Sequence, residues 1–368
     1  MNEKTQPCTH CGAVHPRVNL TWMGSAELCP ECLQRYTVCC DCCGERIWMA
    51  NDYGTHYLHL CASCRADNYV TCENCGALIP QEDAHYNDED EAYCDSCYER
   101  GYGGTIHNYS YKPEPIFYGD GPLYLGVELE VDEAGKDNIN AVQALRAFNQ
   151  ENVYGYVKSD GSLNDGFELV THPCTLETHL QQVPWRETLE ALRGMGYRSH
   201  APGICGLHVH VSRKALGKDV YEQEETIAKL LYIFERFWQE ILRFSRRTES
   251  QINHWAARYG YKDRGEEILK EAKHGANGRY ACINLTNTDT IEFRVFRGTL
   301  KYNTVIATLQ FVANLCRVAI SLPEYRIQEF SWPALIEALT QDNCPELVQY
   351  LKERNLYVNE PVTAEREV

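Results

Sequence analysis

The first residues that could do chemistry are cysteines. Of 19 in the 368-residue chain, 14 lie before residue 98. Cys8-x2-Cys11 is followed by 17 residues and Cys29-x2-Cys32, and then, 7 residues on, by Cys40-x2-Cys43. Another 17 residues lead to Cys61-x2-Cys64, 7 more to Cys72-x2-Cys75, and 18 to Cys94-x2-Cys97. The opening cysteines 8, 40 and 72 recur every 32 residues, so the segment is an internal three-fold repeat. Each repeat starts with a C-x-x-C-G knuckle (CTHCG, CDCCG, CENCG), whose glycine lets the backbone turn both sulfurs toward one ion. Four thiolates at this spacing suit tetrahedral structural zinc in a closed site. The expectation is three four-Cys zinc sites over residues 1–100, each supplying the folding energy that a repeat this small lacks. Cys39 and Cys42 are alternative ligands, but the 7/17 spacing favours Cys40 and Cys43. His10, His15, His56, His59 and His85 read as loop or surface residues, and the run 87–91 as a solvated hairpin tip.

A second set of reactive residues follows Pro122, where the hydrophobic period becomes two. In Leu123–Asp132 the apolar Leu123, Leu125, Val127, Leu129 and Val131 alternate with Gly126, Glu128, Glu130 and Asp132. Gly166–Thr171 sets Phe167 and Leu169 against Glu168. Leu207–Ser212 sets Leu207, Val209 and Val211 against His208 and His210. Ile291–Phe296 sets Ile291, Phe293 and Val295 against Glu292 and Arg294, and Tyr280–Thr286 carries Asn284. These are half-buried strands. If they share one sheet, four carboxylates, two histidines and an arginine converge on one face. Such carboxylates repel one another and call for cations. Hard oxygen donors select Mg²⁺ or Mn²⁺, and imidazole suits Mn²⁺.

Helical periodicity fills the gaps between strands. Asn140–Gln150, Pro184–Met195, Glu222–Arg247, Tyr302–Leu322 and Trp332–Thr340 read as helices, and their aromatic stripes read as core. Because helices and strands do not alternate one to one, the fold class is α+β: a mainly antiparallel sheet with helices on one face and a polar open face. Residues 101–121, rich in Gly, Pro and Tyr, read as a linker between the zinc repeats and a domain over 122–368.

Charge narrows the partners. Net charge is -17, and residues 1–104 hold 6 Lys+Arg against 16 Asp+Glu. That argues against nucleic acid as the partner of the zinc array and for a protein contact. No apolar run of about 18 residues suggests a membrane span, and the start MNEKTQPCTHCG does not read as a secretory signal, so the expectation is a cytoplasmic protein.

The cysteine repeats resemble treble-clef or zinc-ribbon fingers. The ordered motifs G-V-E-L-E-V-D (126–132), K-S-D-G-S-L…F-E-L-V-T-H-P (158–173), H-V-H-V (208–211) and R-Y…I-N-L…T-I-E-F-R-V-F-R-G-T-L (279–300) resemble the amidoligases. These belong to the carboxylate–amine ligase superfamily with glutamine synthetase and γ-glutamylcysteine synthetase. The resemblance covers roughly residues 122–345. It implies a glutamine-synthetase-like fold binding ATP and Mg²⁺ or Mn²⁺ on the sheet face.

Carried over residue by residue, the resemblance makes Glu128, Glu130, Glu168 and Glu292 metal ligands and Arg294 a phosphate holder. His208 or His210 would contact metal or phosphate. Arg279 and Arg297 are candidates for phosphate or substrate carboxylate, although Arg297 shares the parity of Phe293 and Val295 and enters the site only past a bend. Asp160 and Ser162 either position substrate or shape a turn. The implied reaction phosphorylates a carboxylate with ATP, then lets an amine displace the phosphate to form an amide, on an amino acid, peptide or protein. No protein nucleophile is needed, so Cys174, Cys205, Cys282, Cys316 and Cys344 read as core packing. Two alternatives stand beside the ligase: a phosphotransferase on the same fold, and a non-enzymatic adaptor with a nucleotide-binding domain.

Overall fold

The computed structural model describes residues 5–87, 90–98, 104–274 and 278–357. Asp88 and Glu89 of the acidic run, residues 101–103 of the expected linker and the C-terminal stretch from 358 lie outside the described residues. The chain divides into two units, residues 1–104 and 105–368.

The first unit repeats one device three times. Short antiparallel hairpins pair Thr5–Pro7 with Val14–Pro16, Thr37–Cys39 with Arg46–Trp48, and Tyr69–Thr71 with Leu78–Pro80. Each turns through its knuckle glycine, Gly12, Gly44 or Gly76, at φ of 75, 75 and 71°. A side chain there would force the left-handed backbone that L residues avoid. The second cysteine pair of each repeat opens a helical turn, at Pro30–Tyr36, Ala62–Asn68 and Asp95–Tyr98. The two halves of a repeat are tied by equivalent backbone bonds, Thr9 N to Glu27 O, Asp41 N to His59 O and Glu73 N to Ala92 O, at 2.8, 2.8 and 2.9 Å.

The second unit is built on an eight-stranded sheet. Its strands are β1 (Ile106–His107), β2 (Tyr124–Val131), β3 (Gly155–Lys158), β4 (Phe167–Thr171), β5 (Cys174–Thr175), β6 (Leu207–Ser212), β7 (Ile283–Asn284) and β8 (Thr290–Phe293). They lie in the order β1-β3-β4-β2-β6-β8-β7, with β5 also on β2. All pairings are antiparallel except β1 with β3. The fold is therefore α+β with a mostly antiparallel sheet. Ile106–His107, within the stretch read as linker, is an edge strand of this sheet.

Alternation decides the two faces. Leu125, Val127, Leu129, Val131, Leu207, Val209, Val211, Ile291 and Phe293 are fully buried in one core with the helices. Phe293 meets Phe234 of α1 (Val220–Arg236) with ring centroids 5.7 Å apart. Truncating Phe293 to alanine would cost about 3–5 kcal/mol through lost burial and the cavity left behind. The five cysteines after residue 122 are all buried.

Two readings change. The expected helix Glu222–Arg247 breaks at Phe237 into α1 and α2 (Trp238–Ser245), and the chain then turns through Arg246 at φ 65°. The signal for that stop lies in Thr248, whose hydroxyl and partner Gln251 form a capping box that starts a new helix. Second, α3 (Tyr302–Ser321) is long and apolar enough to cross a membrane by length and composition, contrary to the sequence expectation. Its most apolar window is 83% buried inside this unit, as befits a core helix.

Candidate active site

The register of the sheet builds the site. On the face opposite the core, Glu130 stands directly across from Glu168, Glu128 from His208, and His210 from Glu292. Lys158 faces Glu168 from the other side, and Asn284 faces Glu292. Because every step between strands keeps this parity, residues far apart in sequence form one continuous polar row. The row floors a cleft of about 950 Å³. Its walls include Tyr109, Asp160, Arg247, Trp255, Arg279 and Tyr280.

Three donors form a compact nest. One ligand atom from each of Glu128, His210 and Glu292 lies within 4.8 Å of the others. His210 Nε2 is 3.2 Å from Glu128 Oε1 and 4.0 Å from Glu292 Oε1. His208 Nδ1 lies 3.4 Å from Glu128, 3.6 Å from Glu292 and 3.7 Å from Glu130. Arg294 Nη1 donates to Glu292 Oε1, while Asn284 Nδ2 donates to Glu292 Oε2 at 2.8 Å. Two carboxylates and an imidazole open to a cleft fit a divalent cation such as Mg²⁺ or Mn²⁺.

The other two carboxylates are held differently. Glu130 Oε2 accepts from the Gly206 backbone N–H at 2.5 Å. Glu168 lies 3.4 Å from Lys158 Nζ. Burial raises Glu130, and Asp160 adds to this. Burial and then the Glu128 charge push Glu168 well above the ordinary carboxylate range. Burial opposes the charged form of Glu128 too, but the two imidazoles outweigh it and hold this carboxyl well below its usual value. Burial likewise works against protonated His210, yet Glu128 and Glu292 raise it. Desolvation disfavours charged Lys158, but Glu168 and Glu128 hold it as a cation. The cluster therefore shares its charge unevenly, and a bound cation would release the protons that burial retains.

The remaining sequence candidates fall in three places. Arg279 stands at the cleft mouth, where it donates to the Tyr109 and Tyr280 hydroxyls and lies over the Tyr280 ring. Asp160 and Ser162 line the cleft, and Asp160 Oδ1 accepts from Ser162 N at 2.7 Å, so this pair shapes the turn as well as facing the site. Arg297 is not among the cleft-lining residues. Its backbone bridges Gly206 and bonds Ser245 O instead, as its core-side parity requires.

Sequence reasoning missed Lys158, Tyr109, Trp255 and Arg247. Lys158 lies on a four-residue strand too short to show alternation. Tyr109 follows the edge strand hidden in the Gly/Pro/Tyr stretch. Arg247 follows the left-handed turn that a continuous helix would not have had.

In the first unit, Cys8, Cys11, Cys29 and Cys32 form one sulfur group, Cys40, Cys43, Cys61 and Cys64 a second, and Cys72, Cys75, Cys94 and Cys97 a third. Sulfur pairs Cys11–Cys29, Cys43–Cys61 and Cys75–Cys94 are each 3.8 Å apart. Four sulfurs placed tetrahedrally about 2.3 Å from zinc lie about 3.8 Å from one another, so the groups fit that ion. Cys39 and Cys42 are in none of these three sulfur groups. His59 pairs with Asp52 at 2.5 Å and His85 with Asp95 at 2.7 Å rather than completing one.

Residues 146–316 match the model of a family described as "Putative amidoligase enzyme". No curated protein matches the chain. Among solved structures, the crystal structure of a bifunctional glutathione synthetase from Pasteurella multocida is similar at 15% identity and a TM-score of 0.32, over 63% of this chain and 46% of that one. The overlap thus spans less than half of that synthetase, and it is too loose to bear on the fold. The family segment holds Glu168, His208, His210, Glu292 and Arg294, with Glu128 and Glu130 just before it. By that match, and by the ordered motifs its sheet carries, the second unit of this chain is similar to the amidoligases over residues 146–316.

Proposed function

We propose that this protein is an ATP-dependent ligase with a glutamine-synthetase-like catalytic domain, joining a carboxylate to an amine. The observation that carries the reading is the convergence of Glu128, His210 and Glu292, flanked by Glu130, Glu168, Lys158 and Arg294, on one cleft floor. The family match supports it independently.

Glu128, Glu292 and His210 would hold a divalent ion, Mg²⁺ or Mn²⁺, with Glu130 and Glu168 beside them. Such an ion supplies charge neutralisation for the phosphates of ATP. Asn284 and Arg294 fix both oxygens of Glu292, so that carboxylate arrives already oriented. Arg294, anchored at one nitrogen, keeps the rest of its guanidinium for the transferring phosphate. Lys158, a buried cation near Glu168, offsets charge that develops on the phosphorylated carboxylate. The oxygen of the substrate carboxylate attacks the terminal phosphorus and ADP leaves. An amine then attacks the acyl carbon, phosphate leaves with the carbon–oxygen electron pair, and the amine proton passes to a base. The aromatic wall of Tyr109, Trp255 and Tyr280 would limit water at that stage.

The zinc-binding unit we assign to docking a protein that carries or presents the substrate. Its acidity suits a protein contact rather than nucleic acid. Three reduced thiolate tetrads suit the cytoplasm, where thiols stay unoxidised.

The test is a screen of amino acids and peptides for ADP release with ATP and Mg²⁺, followed by product analysis. An amide product supports the ligase. A phosphorylated product that persists would make it a phosphotransferase, and metal-dependent ATP binding without turnover would make it an adaptor.

A further inference from the structure

Arg247 is 5% exposed and lines the cleft. It stands just after the left-handed turn at Arg246, outside any helix. Its Nη2 donates to Phe296 O at 3.3 Å. Its Nε and Nη1 have no hydrogen-bond partner. Buried guanidinium donors are ordinarily paired, so two idle ones on a residue that lines a polar cleft call for an acceptor from outside the chain.

The surroundings say what kind. Glu130 attracts Arg247 electrostatically but forms no hydrogen bond with it, and its Oε2 is taken by Gly206 N–H. Arg294, Arg246 and Arg297 repel it. Arg294 also keeps a buried Nε without a partner in the same cleft. A planar, bidentate donor among like charges matches an oxyanion, which bridges guanidinium groups and relieves their repulsion.

We propose that Arg247 is an oxyanion-binding residue of the cleft, taking with Nε and Nη1 either the terminal phosphate of the nucleotide or the carboxylate to be activated. The choice of these two ligands rests on the ligase reading above; the oxyanion chemistry does not.

The test is equilibrium binding to the zinc-loaded full-length protein, with four probes: ATP with Mg²⁺, ADP with Mg²⁺, inorganic phosphate, and glutarate as a dicarboxylate. The expected result is that R247Q loses about tenfold or more in affinity, the scale of a lost charge-assisted pair. Loss for ATP and phosphate but not ADP assigns the terminal phosphate, and loss for glutarate alone assigns the carboxylate. R297Q, outside the cleft, keeps its affinities. Should R247Q not fold, R247K, which keeps charge and stem but not the fork, is expected to lose about threefold or more. These measurements need no turnover, so a loss in R247Q without any amide product would leave the oxyanion site standing and the ligase reading refuted. Equal affinity of wild type and the folded variant for every probe, or no binding of any probe by wild type, overturns the proposal.

Discussion

Glu128 and Glu292, on strands separated by β6, both lie against one imidazole, with His210 Nε2 3.2 Å from the first carboxylate and 4.0 Å from the second. Neither carboxylate has a neighbour in sequence that explains this. It follows from two antiparallel registers that place His208 beside Glu128 and His210 beside Glu292.

Isosteric neutralisation at this nest separates chemistry from folding. E292Q keeps the size of the side chain and a possible bond to Asn284, so its melting temperature should stay close to that of the wild type. Turnover of ATP by E292Q should fall by about 100-fold or more, because the carboxylate charge is what holds a metal-bound nucleotide. Steady-state ADP release in E128Q and E292Q is the measurement, and wild-type rates in both would refute the residue assignment.

Gly206 tests how tightly the row is packed. A Cβ there would lie 2.2 Å from His208 Nε2, and His208 is 3% exposed. The imidazole cannot swing away without leaving Glu128, Glu130 and Glu292. G206A should therefore fold yet lose about tenfold or more in kcat, with KM for ATP rising less, since misplacing one group of a preorganised site slows chemistry before it weakens binding. An unchanged kcat would show that His208 plays no part in the row.

The zinc tetrads should act independently. Each draws its four sulfurs from a single repeat, so C8S, C40S and C72S should each lose one of three zinc ions in native mass spectrometry. Proteolysis should open only the affected repeat, because metal supplies the folding energy locally. A metal-free chain with all three repeats folded would contradict this.

Acid stability has a located contribution. His179 is 1% exposed, Nε2 donates to Leu125 O at 3.1 Å, and Nδ1 accepts from Trp185 Nε1 at 3.3 Å. Burial pushes its pKa down from 6.5 to about 4. The folded state therefore keeps it neutral while the unfolded state gains a proton below about 6.5. Its contribution is fully present above that pH and is lost as pH falls toward 4, on the order of 3 kcal/mol in all. Urea titrations from pH 7 to 4 should show H179Q, which cannot titrate, losing less stability than wild type across that window. Parallel slopes would place the acid sensitivity elsewhere.

Much of this site was legible because a half-buried strand writes its two faces in alternate letters. Glu128, Glu130, Glu168, His208, His210 and Glu292 all announce themselves by parity, and Arg297 by the same rule is sent away from the cleft. The zinc tetrads were legible from spacing alone. Lys158 was not, because Gly155–Lys158 is too short for a period to appear. Arg247 was not, because apolar spacing runs through Phe237 without marking the break. Only the Thr248 capping box signals that a helix must end before it. Tyr109 was hidden by composition: a Gly- and Pro-rich stretch reads as a spacer even where β1 docks on the sheet edge.

Whether Glu128, His210 and Glu292 hold a divalent ion is tested most directly by Mn²⁺ binding followed by electron paramagnetic resonance in the zinc-loaded protein. Manganese avoids the thiolate tetrads and reports on the carboxylate nest. The wild type should bind Mn²⁺, more tightly with ATP, and both E128Q and E292Q should bind it more weakly by about tenfold or more. Equal Mn²⁺ affinity in the wild type and both variants would contradict that assignment.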